Sequence, residues 1–314
     1  MLCRWRESFL KMPGMGGVEG ALRKLVLAAA TLLGVGYVVV DIPIVVLLGY
    51  QFSQVPIDST QHIGKLAGIT LFLMASVLLI ILGCFFIIGG LQFYRGGAHQ
   101  GVVFLGSLLA SFYLLCLGLG SLLMVSQLNL SVMLLIISPV LVMGAAAMYM
   151  GRSIPFKLIG SVLGITGGIL LAVAIFNHQI LEPVFEWGVP FPGPFMSIAA
   201  MEAIVVILGP VTAFVYSILA ERKEEPVAHA FLSIVALIYG IGMFIGSQVL
   251  AFSFLDLLWK APYAGQILYN LPRWFFGTVA FWSASLFLLM IGGIILIASS
   301  CIGFILTAQE FAQL

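Results

Sequence analysis

The chain has 314 residues, of which 62% are hydrophobic and only 8% charged, and its mean hydropathy is +1.20. Soluble domains carry about 25% charged residues, so this composition cannot cover a water-facing surface and predicts an integral membrane protein. Thirteen Lys and Arg against twelve Asp and Glu leave a net charge of +1, too small a basic field to hold a nucleic-acid backbone, which excludes that class of partner.

The first 24 residues, MLCRWRESFLKMPGMGGVEGALRK, hold basic residues but no short apolar core ending in a small-residue cleavage site. They are expected to form a cytoplasmic lead-in, partly disordered around Met12 to Gly20, rather than a cleaved signal peptide. Crossing a hydrocarbon core of about 30 Å takes roughly 20 apolar residues as helix, because every backbone polar group must be satisfied inside the segment. Eight stretches meet that requirement: Leu25–Gln51, Leu66–Phe93, Gly101–Val125, Leu130–Met150, Leu158–Phe176, Met196–Ala220, Ala228–Phe254 and Trp274–Thr307. The fold class that follows is all-α, a polytopic transmembrane helix bundle forming one domain over 25–307, with a short tail over 308–314.

Charge orients the spans. With the N-terminus inside, Arg4, Arg6, Lys11, Arg23, Lys24, Arg95, Arg152, Lys157, Arg222 and Lys223 are cytoplasmic, against only Lys65, Lys260 and Arg273 outside. This positive-inside bias and the even number of spans predict N-in/C-in topology, with Trp187, Trp259 and Trp274 in an outer aromatic belt. The outer loop HQILEPVFEWGVPFPGPF is rich in proline and is expected to be a rigid cap at the interface. No hydrophilic insertion is long enough for a soluble catalytic domain.

Glycines at intervals of three or four mark helix contacts in lipid. Gly160, Gly164, Gly167 and Gly168, then Gly242 and Gly246, then Gly118 and Gly120, are therefore expected inside the bundle, whereas Phe85 and Phe86 are read as lipid-facing. Six residues of the second span, from Gly68 to Gly83, match six of the eighth, Gly277 to Gly292, at a constant offset of 209, a weak sign of repetition. Cys3, Cys84, Cys116 and Cys301 lack any Cys-x-x-Cys spacing, so neither a disulfide framework nor a metal site is expected, and the apolar three are read as small buried hydrophobes.

Asp41 and Glu202 are the only charged side chains well inside the predicted spans. At the helical rise they lie roughly 5 Å and 9 Å outward of their span midpoints, in one leaflet. No Lys or Arg shares that depth, so each carboxyl must be neutralised, paired or open to water. Pro43, Pro139 and the Gly209–Pro210 pair are candidate helix breaks that free carbonyls, two of them near these acids, and Tyr216 lies on the stripe of Glu202. Proton- or cation-coupled transport uses this chemistry. The opposing reading is that each carboxyl only bonds a neighbour and fixes helix contacts.

His62, His99, His178 and His229 all fall in loops or at span ends, which excludes haem held between spans, and no mid-membrane lysine is available for retinal. Serine-hydrolase, zinc-protease, intramembrane aspartyl and phosphate-loop patterns are missing, so no enzyme, cofactor or metal is expected. The expected function is a small carrier or channel-like protein of the cell membrane with a proton- or cation-responsive site at Asp41, Glu202 and Tyr216. The alternative is a non-catalytic subunit of a larger respiratory or secretory membrane complex. The expected partners are the lipid bilayer, further copies of the chain or other membrane subunits. A polar stripe through at least four spans favours the first reading; a glycine-rich or aromatic face left uncovered favours the second.

Overall fold

A computed structural model describes residues 15–54, 60–95, 100–125, 130–149, 225–260 and 273–312, with isolated positions between 159 and 173. Among the described residues there is no strand. The long elements are α1 (Met15–Gln54), α2 (Thr60–Tyr94), α3 (Gln100–Val125), α4 (Leu130–Tyr149), α5 (Glu225–Lys260) and α6 (Arg273–Phe311). They coincide with six of the eight predicted spans, because an apolar segment that must close its own hydrogen bonds in lipid has only the helix available to it. The stretches from 158 to 176 and from 196 to 220 lie partly or wholly outside the described residues.

Four of these helices carry windows long and apolar enough to cross a membrane: Gly17–Ile42, Ile63–Tyr94, His229–Gln248 and Ala284–Gln309. Shorter apolar stretches run over Leu108–Gly120 and Ile136–Ala145 in α3 and α4. The chain is a membrane protein. Three helices extend well past their predicted ends. The clearest case is α1, which begins within the stretch expected to be disordered. Glu19 and Arg23 pair one turn apart there, and Arg23 Nη1 donates to the carbonyl of Tyr94 at 3.5 Å, tying the start of α1 to the end of α2. An i,i+4 ion pair at a helix end adds a few tenths of a kcal/mol, enough to extend a helix whose next turn is already docked.

The helices pack in the order α5, α6, α1, α2, α3, α4, so the first described helix is flanked by the second and the last. Glycine makes the close approach in each of these pairs except α3 with α4. Gly34 of α1 and Gly83 of α2 abut backbone to backbone, and a Cβ on Gly83 would lie 2.6 Å from the Gly34 carbonyl oxygen. Gly240 of α5 and Gly293 of α6 repeat this arrangement, at 2.9 to 3.0 Å from each other's oxygens. On the other flank of α1, Gly36 seats Leu289 of α6 and Gly292 of α6 seats Leu33. Gly120 approaches the carbonyl of Gly68, joining α3 to α2. The order of these pairs makes every one of these neighbours antiparallel, and it puts the beginning of α1 and the end of α6 on the same side.

The predicted glycine faces are partly realised. Gly118, Gly120 and Gly167 are buried, but in α5 the buried contact is Gly240, while Gly242 and Gly246 are only partly covered. The exposed stripes are aliphatic: Met74, Val77, Ile81 and Ile88 on α2, and Ile234, Ile238, Ile241 and Ile245 on α5. Their three- and four-residue spacing is that of one helix face turned to lipid. Cys84 and Cys301 lie on such faces and only Cys116 is buried, which corrects the reading of all three as buried hydrophobes. The offset repeat carries into packing only in part: Ser76 and Ser285 are both buried, as are Gly83 and Gly292, whereas Ala75 is buried and its counterpart Ala284 exposed.

Candidate functional site

Asp41 is the single charged side chain buried among the described residues, with no exposed surface. It sits on α1 between the basic positions Arg23 and Lys24 at one end and the level of Lys65 of α2 at the other. Its placement follows from the glycine contacts. From the Gly34 and Gly83 crossing, two turns along antiparallel helices lead to Asp41 on α1 and Ser76 on α2. Ser76 lies close enough to act on the carboxyl. It is outside hydrogen-bond geometry, however, and neither Asp41 oxygen has a hydrogen-bond partner among the described residues.

The same register identifies what else shares this depth. From the contact of Leu33 with Gly292, two turns away from the Arg23 side reach Ser285 of α6; from Gly240 and Gly293, two turns in the same direction reach Ser247 of α5. From Gly120 and Gly68, about two and a half turns toward the Arg23 side reach Ser111 of α3. Ser247, Ser285, Asp41, Ser76 and Ser111 are each at most 2% exposed. Five helices thus contribute one small polar side chain apiece to a single layer across the bundle. The Ser247 hydroxyl donates to the carbonyl of Phe244 at 2.7 Å, a bond within its own helix, and Ser111 and Ser285 are also engaged. These residues are cheap to bury because a hydroxyl can satisfy itself on the preceding turn. A carboxyl has no such recourse.

One turn before Asp41, on the same face of α1, is Tyr37. Its ring is fully buried and stacks on Phe86 of α2, centroids 5.4 Å apart and planes 4° from parallel, and Phe86 stacks in turn on Tyr239 of α5 at 5.7 Å. The Tyr37 hydroxyl donates to Met243 Sδ of α5 at 3.4 Å. This stack lies on the Arg23 side of the polar layer. Phe86 was expected to face lipid; it bridges two helices instead, because helical side chains lean toward the start of their own helix and an antiparallel pair directs them into a shared layer.

Of the predicted site residues, Asp41 is therefore placed at a polar layer in the core. Glu202, Tyr216, Gly209 and Pro210 lie outside the described residues. The candidate breaks Pro43 and Pro139 do not interrupt their helices: α1 stays helical to Gln54 and α4 to Tyr149. Each proline removes one donor, leaving the carbonyls of Val39 and Leu135 without their usual partner, a loss that packed membrane helices tolerate. Sequence reasoning missed Ser76, Ser285, Ser247 and Ser111, whose only signal was the recurrence of one serine near the middle of successive spans. No cluster of three or more His, Cys, Asp or Glu able to hold a metal ion occurs among the described residues.

Compared with known protein families, curated proteins and solved structures, the chain matches none of them. Its function is therefore argued from the site itself.

Proposed function

We propose that this protein is a small multi-pass carrier or channel-like protein of the cell membrane, with eight spans, N-in/C-in, and Asp41 as a proton- or cation-responsive group. The observation that carries this reading is Asp41, a carboxyl with no exposed surface and no hydrogen bond among the described residues, held within a layer of serines from four other helices. A carboxyl in hydrocarbon costs at least about 2.5 kcal/mol and is retained where it works or pairs. The short connection between α3 and α4 supports antiparallel spans there. With α4 thereby ending on the side where α5 begins, the intervening chain crosses an even number of times, as the spans at 158–176 and 196–220 require. Glu202 and Tyr216, in the second of these, are offered as further members of the site. The proposal assigns no enzymatic activity and no cofactor, and it has the bilayer as the protein's immediate partner.

The test is flux in proteoliposomes loaded with a pH-sensitive dye and driven by a potassium diffusion potential, with and without a sodium gradient. The wild-type protein is expected to move protons or cations, and Asp41→Asn to lower the rate by at least about tenfold, the effect of losing roughly 1.4 kcal/mol. Equal rates in both, with both proteins folded, refute the reading.

The alternative, a subunit of a larger membrane complex, is favoured by one observation: the polar layer lies across the bundle rather than along it, with the aromatic stack of Tyr37, Phe86 and Tyr239 on its basic side. Native mass spectrometry of the protein extracted with its own partners discriminates the two, since this reading requires unrelated chains to travel with it.

A further inference from the structure

The start of α1 and the end of α2 bring two exposed cations to one level. The Arg23 guanidinium reaches the carbonyl of Tyr94, so positions 23 and 94 are level in these antiparallel helices. Gly90 against Leu27 keeps the same register one turn further on. Lys24 of α1 is therefore level with Phe93, two positions before Arg95 of α2, which separates the two charges by roughly 3 Å along the axis. Arg95 still belongs to its helix, its N–H donating to the Leu91 carbonyl at 3.1 Å.

The two cations also share a face. Tyr37 stacked on Phe86 marks the inner side of the α1 and α2 pair. The exposed positions lie on the opposite side: Lys24 and Val35, about three turns apart on α1, and Ile88, Leu91 and Arg95 at three- and four-residue spacing on α2. Close approach at Gly34, Gly83 and Gly90 brings these two stripes together along one seam. Lys24 and Arg95 thus stand at the end of an exposed apolar strip that continues for roughly 10 Å from Arg95 to Ile88. At this end of the pair Glu19 is held by Arg23, so three cations outweigh one acid. The charges alone suit any phosphate. The strip leading away from them, turned to hydrocarbon, suits one that carries acyl chains.

We propose that the outer face of the α1 and α2 seam binds an anionic phospholipid, its phosphate between Lys24 and Arg95 and its chains along Leu91, Ile88 and Val35. A guanidinium can hold two phosphate oxygens at once and an ammonium adds a point charge, the combination by which basic positions between membrane helices recognise anionic headgroups. Lipid binding here does not depend on the carrier reading.

The test is native mass spectrometry of the full-length protein in mild detergent, titrated with phosphatidylglycerol or with phosphatidylcholine of the same acyl chains. The wild-type protein is expected to bind phosphatidylglycerol at least about fivefold more tightly, the effect of one cation near an anionic headgroup. The double variant Lys24→Gln, Arg95→Gln is expected to hold both lipids equally and to keep the wild-type thermal midpoint in lipid-free detergent, since both side chains are exposed. Lys65→Gln, at the opposite end of α2, is expected to retain the preference. Equal affinity of the wild-type protein for the two lipids overturns the proposal without any variant. A preference that survives in the double variant overturns it too, because the charge is then read elsewhere. Displacement of phosphatidylglycerol by glycerol 3-phosphate at equal concentration overturns the lipid assignment in favour of a soluble phosphate.

Discussion

Asp41 and Tyr37, one turn apart on α1, make opposite demands on the bundle. Asp41 buries two oxygens without a hydrogen bond among the described residues, a standing cost in a low-dielectric interior. Asp41→Asn keeps the shape and removes the charge, so its thermal midpoint in detergent, followed by size-exclusion chromatography, is expected to match or exceed that of wild type. Asp41→Lys places an obligate donor in the same dry layer and is expected to lower stability by more than about 2.5 kcal/mol. Tyr37, by contrast, is satisfied through both its ring and its hydroxyl. Tyr37→Phe retains the stack and loses the weak bond to sulfur, an expected change of about 1 kcal/mol by the same assay. Phe86→Ala removes the middle ring and with it two stacked contacts, each contributing about 0.5–1.5 kcal/mol beyond its buried area.

At the scale of elements, the bundle is organised by where backbones touch. Gly34 and Gly83 leave no room for a methyl group between α1 and α2, and Gly240 and Gly293 leave none between α5 and α6. Gly34→Val or Gly240→Val must therefore separate a helix pair, and is expected to shift the protein toward aggregated or early-melting material in thermal chromatography. Gly49→Ala and Gly144→Ala are the controls, because a Cβ at either meets nothing within 4 Å. Each is expected to be neutral or to stabilise its helix by up to about 1 kcal/mol, the difference in helix propensity. The sequence pointed to the right residue type but to different positions in α5. Which glycine of a run makes the contact depends on the rotation of the helix, and rotation is set by the neighbour.

At the scale of the molecule, α1 lies between α2 and α6, and its beginning is on the same side as the end of α6. Single-cysteine variants in a background without native cysteines test the orientation in intact cells. A cysteine at Gly17 or at Ala308 is expected to be protected from a membrane-impermeant maleimide, and one at Ser53 to react. Reaction at Gly17 and Ala308 with protection at Ser53 reverses the proposed topology, and a split between Gly17 and Ala308 refutes an even number of spans.

The sequence by itself determined the membrane environment, the helical class and the ends of six helices to within a few residues in most cases. Hydropathy and the need to satisfy every backbone group act locally along the chain, and so can be read from it. It also singled out Asp41, because a lone acid in an apolar run stands out without any knowledge of its neighbours. Only the tertiary structure decided that α1 is flanked by the last helix, that Phe86 faces inward, and that serines from four other helices lie at the depth of Asp41. Each of these depends on the offset and rotation of one helix against another, fixed by glycine contacts between residues as much as 259 positions apart, from Leu33 to Gly292. Such a serine is unremarkable within its own span. It becomes part of a site only when antiparallel packing brings several of them to one level.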